Sequence, residues 1–135
     1  GVKNIFYKIR QKPGKPLFFG KLDQTIVFGL PGNPAAVLSC FYEYVYPALK
    51  KMEGNPMPML KTAYLPLSED FKKKPGLSLF LKGKISHNAV SPLKGQESYI
   101  LSSFSEADCL IYIPEERGNI QKGEPVEIHL LPGLY

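Results

Sequence analysis

Three closely spaced lysines, Lys8, Lys12 and Lys15, precede a turn with the features of an anion site, Gly29-Leu30-Pro31-Gly32-Asn33-Pro34. Lysines gathered at strand ends neutralise a phosphate or an oxyanion and stabilise charge that builds up in a transition state. The turn follows a β-branched and aromatic run, Thr25-Ile26-Val27-Phe28, and leads into an apolar helical pattern from Ala35. It therefore reads as a strand-to-helix connection. Gly29 and Gly32 permit positive φ or close approach of a ligand. Asn33 suits the N-cap and Pro34 the first helical position. The N–H groups from Gly32 to Ala36 then point out of the positive end of a helix dipole. An ordinary strand–helix connection is the alternative reading of this stretch alone.

Other chemistry is poorly supported. His87 and His129 have no partner at metal-ligand spacing, and each reads as a surface or satisfied strand histidine. Cys40 and Cys109 show no CxxC spacing and read as reduced core thiols in a cytosolic protein. No Ser/His/Asp or Cys/His set stands out. Glu115-Glu116 reads as a solvated turn and Lys72-Lys73-Lys74 as a solvated loop. Ser98, after Gly95-Gln96-Glu97, is a hydroxyl that could meet a ligand in a cleft.

The chain has 135 residues, 44% of them apolar, enough for a real core in one ordinary domain or two small ones. No apolar run approaches the roughly 20 residues of a membrane span, and no signal-peptide pattern opens the chain. The net charge is +5. Residues 1–58 carry eight basic and three acidic side chains, and residues 59–135 carry nine of each, so the excess lies beside the glycine-proline turn. Such a cluster reads either as a solvated basic surface, its commonest fate, or as an anion-binding face for a phosphate, an oxyanion or nucleic acid. No helix-turn-helix or zinc pattern supports nucleic acid as the partner.

The elements that must position these residues come in two styles. Asn4–Ile9, Leu17–Phe19 and Thr25–Gly29 read as strands. A helix follows from about Pro34 to Glu53, with Val37, Leu38, Phe41, Tyr44, Val45, Ala48, Leu49 and Met52 on its buried face. Ser39, Glu43, Tyr46 and Lys50 fall on the other face. Pro47 predicts a kink or two shorter helices. After Pro56-Met57-Pro58 the character changes to β: Lys61–Leu67, Leu77–Ile85, Cys109–Pro114 and Val126–Leu131, with one helical turn between Tyr99 and Ala107. The fold class is thus α/β plus all-β. Residues 1–56 read as the end of an open α/β domain whose beginning lies upstream, because three strands and one helix do not cover a doubly wound sheet. Residues 57–135 read as a small β-barrel domain.

Taken together, Lys12-Pro13-Gly14-Lys15-Pro16, Val27 to Pro34, Pro47-Ala48-Leu49 and Gly54 resemble the molybdopterin molybdenumtransferase family, which includes the E domain of gephyrin. Gly95-Gln96-Glu97-Ser98, Ser102-Ser103-Phe104, Ala107-Asp108, Ile113-Pro114 and Gly123 to Val126 extend the resemblance over nearly the whole chain. It implies insertion of molybdenum from molybdate into adenylylated molybdopterin, with release of AMP and a divalent cation such as Mg²⁺. By this resemblance Lys8 and Lys12 match active-site lysines, and Lys15 stands beside them at the substrate. Pro31, Gly32, Asn33 and Pro34 match the motif beside the pterin phosphate, and Ser98 a serine near the site. The family's upstream glycine motif and acidic, metal-holding residues have no counterpart here. The expectation is a C-terminal fragment, inactive alone, from a cytoplasmic and homodimeric enzyme. A non-catalytic scaffold that docks peptides is the rival expectation. A large exposed apolar patch would favour the scaffold, and basic residues converging on the turn would favour the enzyme.

Overall fold

Strand β1 (Lys3–Tyr7) opens a three-stranded antiparallel sheet in the order β1-β3-β4. The structure, a computed structural model, describes residues 1–97 and 102–133. Strands β3 (Phe18–Leu22) and β4 (Thr25–Gly29) meet at a two-residue turn, where Asp23 takes φ 52°. Phe6, Phe19 and Phe28 stand side by side on one face, with ring centroids 5.4 and 5.0 Å apart. Strand β2 (Gln11–Lys12) leaves this sheet altogether.

The helical rod runs without a break from Pro34 to Met52, but not as one α-helix. Helix α1 (Pro34–Cys40) passes into a π-helical turn (Phe41–Val45) and then into α2 (Tyr46–Met52). Pro47 supplies no N–H, and in a regular α-helix its ring strikes the Glu43 carbonyl. The wider turn relieves that clash, and the Tyr46 N–H donates to the Phe41 carbonyl, five residues back. The observed burial corrects the expected faces. Ser39 and Glu43 are buried, whereas Leu49 is 47% and Met52 70% exposed. The buried set Ala35, Ala36, Ser39, Cys40, Glu43 and Pro47 itself recurs at three and four residues, so small and polar side chains rather than the large apolar ones take the inner face.

The second half builds a six-stranded sheet with the path β2-β6-β8-β9-β5, and β7 on the far part of β6. Its strands are β5 (Thr62–Pro66), β6 (Ser78–Ser86), β7 (Ala89–Pro92), β8 (Cys109–Ile113) and β9 (Pro125–Leu130). β8 lies between β6 and β9, and Cys109, Leu110 and Ile111, whose side chains alternate between the two faces, are all buried. One face carries the main core: Leu67, Leu81, Val90, Ile111, Ile113, Ile120, Val126 and Ile128. Helix α3 (Ser102–Glu106) fills the helical turn read from the sequence.

The expected barrel is an open, curled sheet among the described residues. A bridge between Leu67 and Val90 crosses the seam from β5 to β7. Pro66 and Pro92 end those two strands without N–H donors, so the ladder does not extend there.

Lys73 corrects the solvated-loop reading. It is only 8% exposed, and its ammonium donates to the carbonyls of Arg117 at 2.8 Å, Lys74 at 3.3 Å and Glu115 at 3.4 Å. Lys73→Met is expected to cost about 2 kcal/mol, because partly buried carbonyls lose a charged donor. Equal urea midpoints for variant and wild type would show those bonds to be idle.

Candidate functional site

Two residues of the first half join the second sheet by strand pairing. Gln11 and Lys12 pair in parallel with Ser78 and Leu79, so the lysine-bearing segment becomes an edge strand of the second sheet. Lys12-Pro13-Gly14-Lys15-Pro16 then turns back, with Ile9 N–H bonded to the Lys15 carbonyl at 3.0 Å. Gly14 takes φ 96° and sits against the rod. A Cβ built there falls 2.5 Å from Cys40 Sγ and 2.8 Å from Gln11 Nε2.

The buried Gln11 carboxamide ties the turn down. Its Nε2 donates to the Gly14 carbonyl at 3.2 Å, and its Oε1 accepts from the Tyr44 hydroxyl on the rod. Burial and the Glu43 carboxylate push the Cys40 thiol up to about 11, so it is a packing group and not a nucleophile. Cys109, pushed up to about 12 by burial and by Asp108, is equally inert.

A cavity of about 570 Å³ opens where this turn faces the Gly-Pro turn and the second sheet. Lys12 and Lys15 line it, as do Pro31, Gly32 and Asn33 from the start of the rod. Phe71, Leu79, Phe80, Leu81 and Gln96 supply the opposite wall. Lys8 and Pro34 are not in this lining. Lys8 is exposed at φ 64°, with its ammonium 5.3 Å from the Tyr7 ring centroid. Ser98 lies outside the described residues.

Asn33 holds the N-cap place only with its backbone. Its carbonyl accepts the first helical bond, from Val37 N–H at 2.9 Å, but its side chain makes no capping bond. Instead Asn33 Oδ1 is buried with no donor among the described residues. Such an acceptor is costly to leave unmade. The site thus offers two lysines and an apolar wall.

Gln96 of the far wall, and Lys82 behind it on β6, carry no signal of a site in the sequence. Gln96 accepts from Lys82 N–H at 2.9 Å and donates to the carbonyls of Lys82 at 2.8 Å and Leu93 at 2.7 Å. It clips the Gly95 loop to β6 as a side chain imitating a strand. Lys82 is 3% exposed, and its ammonium donates to the Gly95 carbonyl at 2.6 Å. Burial lowers its pKa, against the pull of the Glu97 carboxylate. Glutamine and lysine alone carry no spacing signal; only the fold shows their contacts.

His129 is a satisfied strand histidine whose partner is remote in sequence. Nδ1 meets Glu43 Oε1 at 2.7 Å and Nε2 meets Glu127 Oε1 at 2.9 Å. Burial alone lowers the imidazole pKa, but the two carboxylates outweigh it and hold it above the usual 6.5. The folded state therefore binds the proton more tightly than the unfolded state. That contribution is full below about pH 6.5 and is lost as pH rises through the raised folded value. The stability gap between wild type and His129→Gln should narrow over that rise in urea titrations; a constant gap would contradict the linkage.

The cleft thus lies between the rod with its three-stranded sheet and the β unit, with two lysines on one side and an apolar wall on the other. The family model for the MoeA C-terminal region (domain IV) matches residues 64–131, and the chain belongs to that family. A second model, described as a probable molybdopterin binding domain, matches residues 1–51. Among curated relatives, the molybdopterin molybdenumtransferase of Haemophilus influenzae is 35% identical over 136 residues, covering 93% of this chain and 34% of that protein. The one from Synechocystis is 30% identical, covering 92% and 30%. This chain thus spans about a third of the length of those relatives. A molybdopterin biosynthesis moeA protein from Pyrococcus horikoshii superposes with a TM-score of 0.80 at 28% identity, covering 96% of this chain and 33% of that one. A molybdenum cofactor biosynthesis protein from Pyrococcus furiosus superposes at 0.84 and 25% identity, covering 96% and 46%.

Proposed function

We propose that this chain is the C-terminal region of a molybdopterin molybdenumtransferase, which inserts molybdenum from molybdate into adenylylated molybdopterin and releases AMP. The observation that carries this reading is the convergence of Lys12 and Lys15 with Pro31-Gly32-Asn33 on one cleft. Both substrates are anions, and two ammonium groups beside a low-dielectric wall hold them and offset charge that develops during the exchange. Lys8 adds positive potential from outside the cleft. Ser98, following the clipped Gly95 loop, is assigned to the same substrates.

The residues present do not fit Mg²⁺. Among the described residues the cleft lining contains no carboxylate, and a hard divalent cation needs oxygen ligands of that kind. In this reading the Mg²⁺ site belongs to acidic residues outside this chain. We read residues 1–56 as the end of the α/β domain and residues 57–135 as the β domain. The parent is read as a cytoplasmic homodimer. Among the described residues no helix is long and apolar enough to cross a membrane.

The test is molybdate-dependent AMP release by the full-length parent and its Lys12→Ala variant. A loss of about tenfold or more, about 1.4 kcal/mol of transition-state stabilisation, is expected. Equal rates would remove the lysine from the mechanism. The isolated 135-residue chain should release no AMP; turnover by it alone would overturn the need for upstream residues.

A further inference from the structure

The contact between the rod and the second sheet is ionic as well as apolar. Glu43 comes from the π-helical turn, and His129 and Glu127 from β9. Tyr112 of β8 stacks on the imidazole at 5.7 Å, and the Phe80 ring of β6 stands 6.2 Å from it. Tyr44, Arg10 and Glu115 line the same cavity of about 500 Å³. Tyr64 of β5 donates to Glu127 Oε2 at 3.3 Å.

An ionised carboxylate only accepts hydrogen bonds. Both ring nitrogens of His129 face carboxylate oxygens, so both bonds are made only by the imidazolium. Tyr44, the residue after Glu43, donates to Gln11 Oε1, and Gln11 Nε2 donates to the Gly14 carbonyl. A continuous set of contacts therefore leads from His129 to the turn that bears Lys12 and Lys15.

We propose that Glu43, His129 and Glu127 form a proton-operated clasp that fixes the rod on the second sheet and, through Tyr44 and Gln11, positions the Lys12–Lys15 turn. Without the proton a single N–H serves two carboxylates. Glu127, whose side chain is 29% exposed, exchanges its bond for water. Glu43, 8% exposed, is left beside an uncharged ring. A buried carboxylate without a countercharge is costly. The π turn then shifts, and Tyr44 shifts with it. His129 is thus a positioning residue. The consequence for molybdate capture rests on the function proposed above; the clasp does not.

The test follows nitrogen NMR signals of this chain from about pH 5.5 to about pH 9. The His129 ring should titrate above the ordinary value, and the Gln11 carboxamide and Gly14 amide should inflect at the same midpoint. Glu127→Gln should lower all three midpoints together. Tyr44→Phe should leave His129 titrating but abolish the inflection at Gln11 and Gly14. Flat Gln11 and Gly14 signals in the wild type, or an inflection that survives Tyr44→Phe, would overturn the proposal. Calorimetry with molybdate alone, on the full-length parent, adds a second reading. Affinity should fall about threefold or more across the midpoint in the wild type and stay level in Tyr44→Phe. Coupled signals with no molybdate binding at any pH would uphold the clasp and sink the proposed function. Coupled signals with binding equally tight on both sides of the midpoint would sink the positioning role.

Discussion

Gly14→Ala is expected to destabilise the chain by about 3 kcal/mol, a sum of left-handed strain and overpacking. The φ of 96° lies where L side chains rarely go. The new methyl also falls 2.5 Å from Cys40 Sγ and 2.8 Å from Gln11 Nε2. Neither neighbour moves freely, since Cys40 is buried in the rod and Gln11 bonds to both Gly14 and Tyr44. Gly54 supplies a matched control. It has φ 83° with nothing within 4 Å of an added Cβ, so Gly54→Ala carries strain alone, about 1 kcal/mol. Urea unfolding of both variants separates the effects. Equal losses at the two sites would mean that the turn does not press on the rod as described.

Ile111→Ala should cost about 3 to 4 kcal/mol. Ile111 is fully buried at the centre of β8, between Leu81 on β6 and Ile128 on β9. Gly83 on β6 leaves the space that Ile111 fills: a Cβ there would meet Ile111 Cγ1 at 2.8 Å and Cys109 Sγ at 2.9 Å. Gly83→Ala is therefore harmful beside Ile111 and less so once Ile111 is truncated, when only the Cys109 contact remains. The double variant should be more stable than the sum of the single losses predicts, by about 1 kcal/mol. Strict additivity would show that the two residues do not share that space.

Local chemistry was legible in the sequence. The strand-to-helix turn at Gly29 to Pro34 and the break at Lys12 to Pro16 depend on residue types only a few positions apart. The long strands of the second half were legible for the same reason, because alternation and β-branched runs are local signals. Gln11–Lys12 was not, since a two-residue strand has no pattern and its partner is Ser78–Leu79. The inner face of the rod was not legible at Glu43 and Met52, because small and polar residues at helical spacing are buried there while large apolar ones stay exposed. Glu43 and His129 stand 86 residues apart, and no spacing rule connects them. Lys73 looked like part of a charge run until the carbonyls that receive its ammonium were placed around it.

The pairing of Gln11–Lys12 with Ser78–Leu79 also bears on the order of events during synthesis. A ribosome releases the lysine turn long before β6, so the turn at first has no sheet edge to join. Contacts between residues so distant along the chain form late and slowly. The rod and the three-stranded sheet are local and assemble early, with the glycine-proline turn already in place. The cleft is complete only when β6 has accepted its short parallel neighbour. A nascent chain that has not yet made β6 has the lysines but lacks Leu79, Phe80 and Leu81 of the opposite wall.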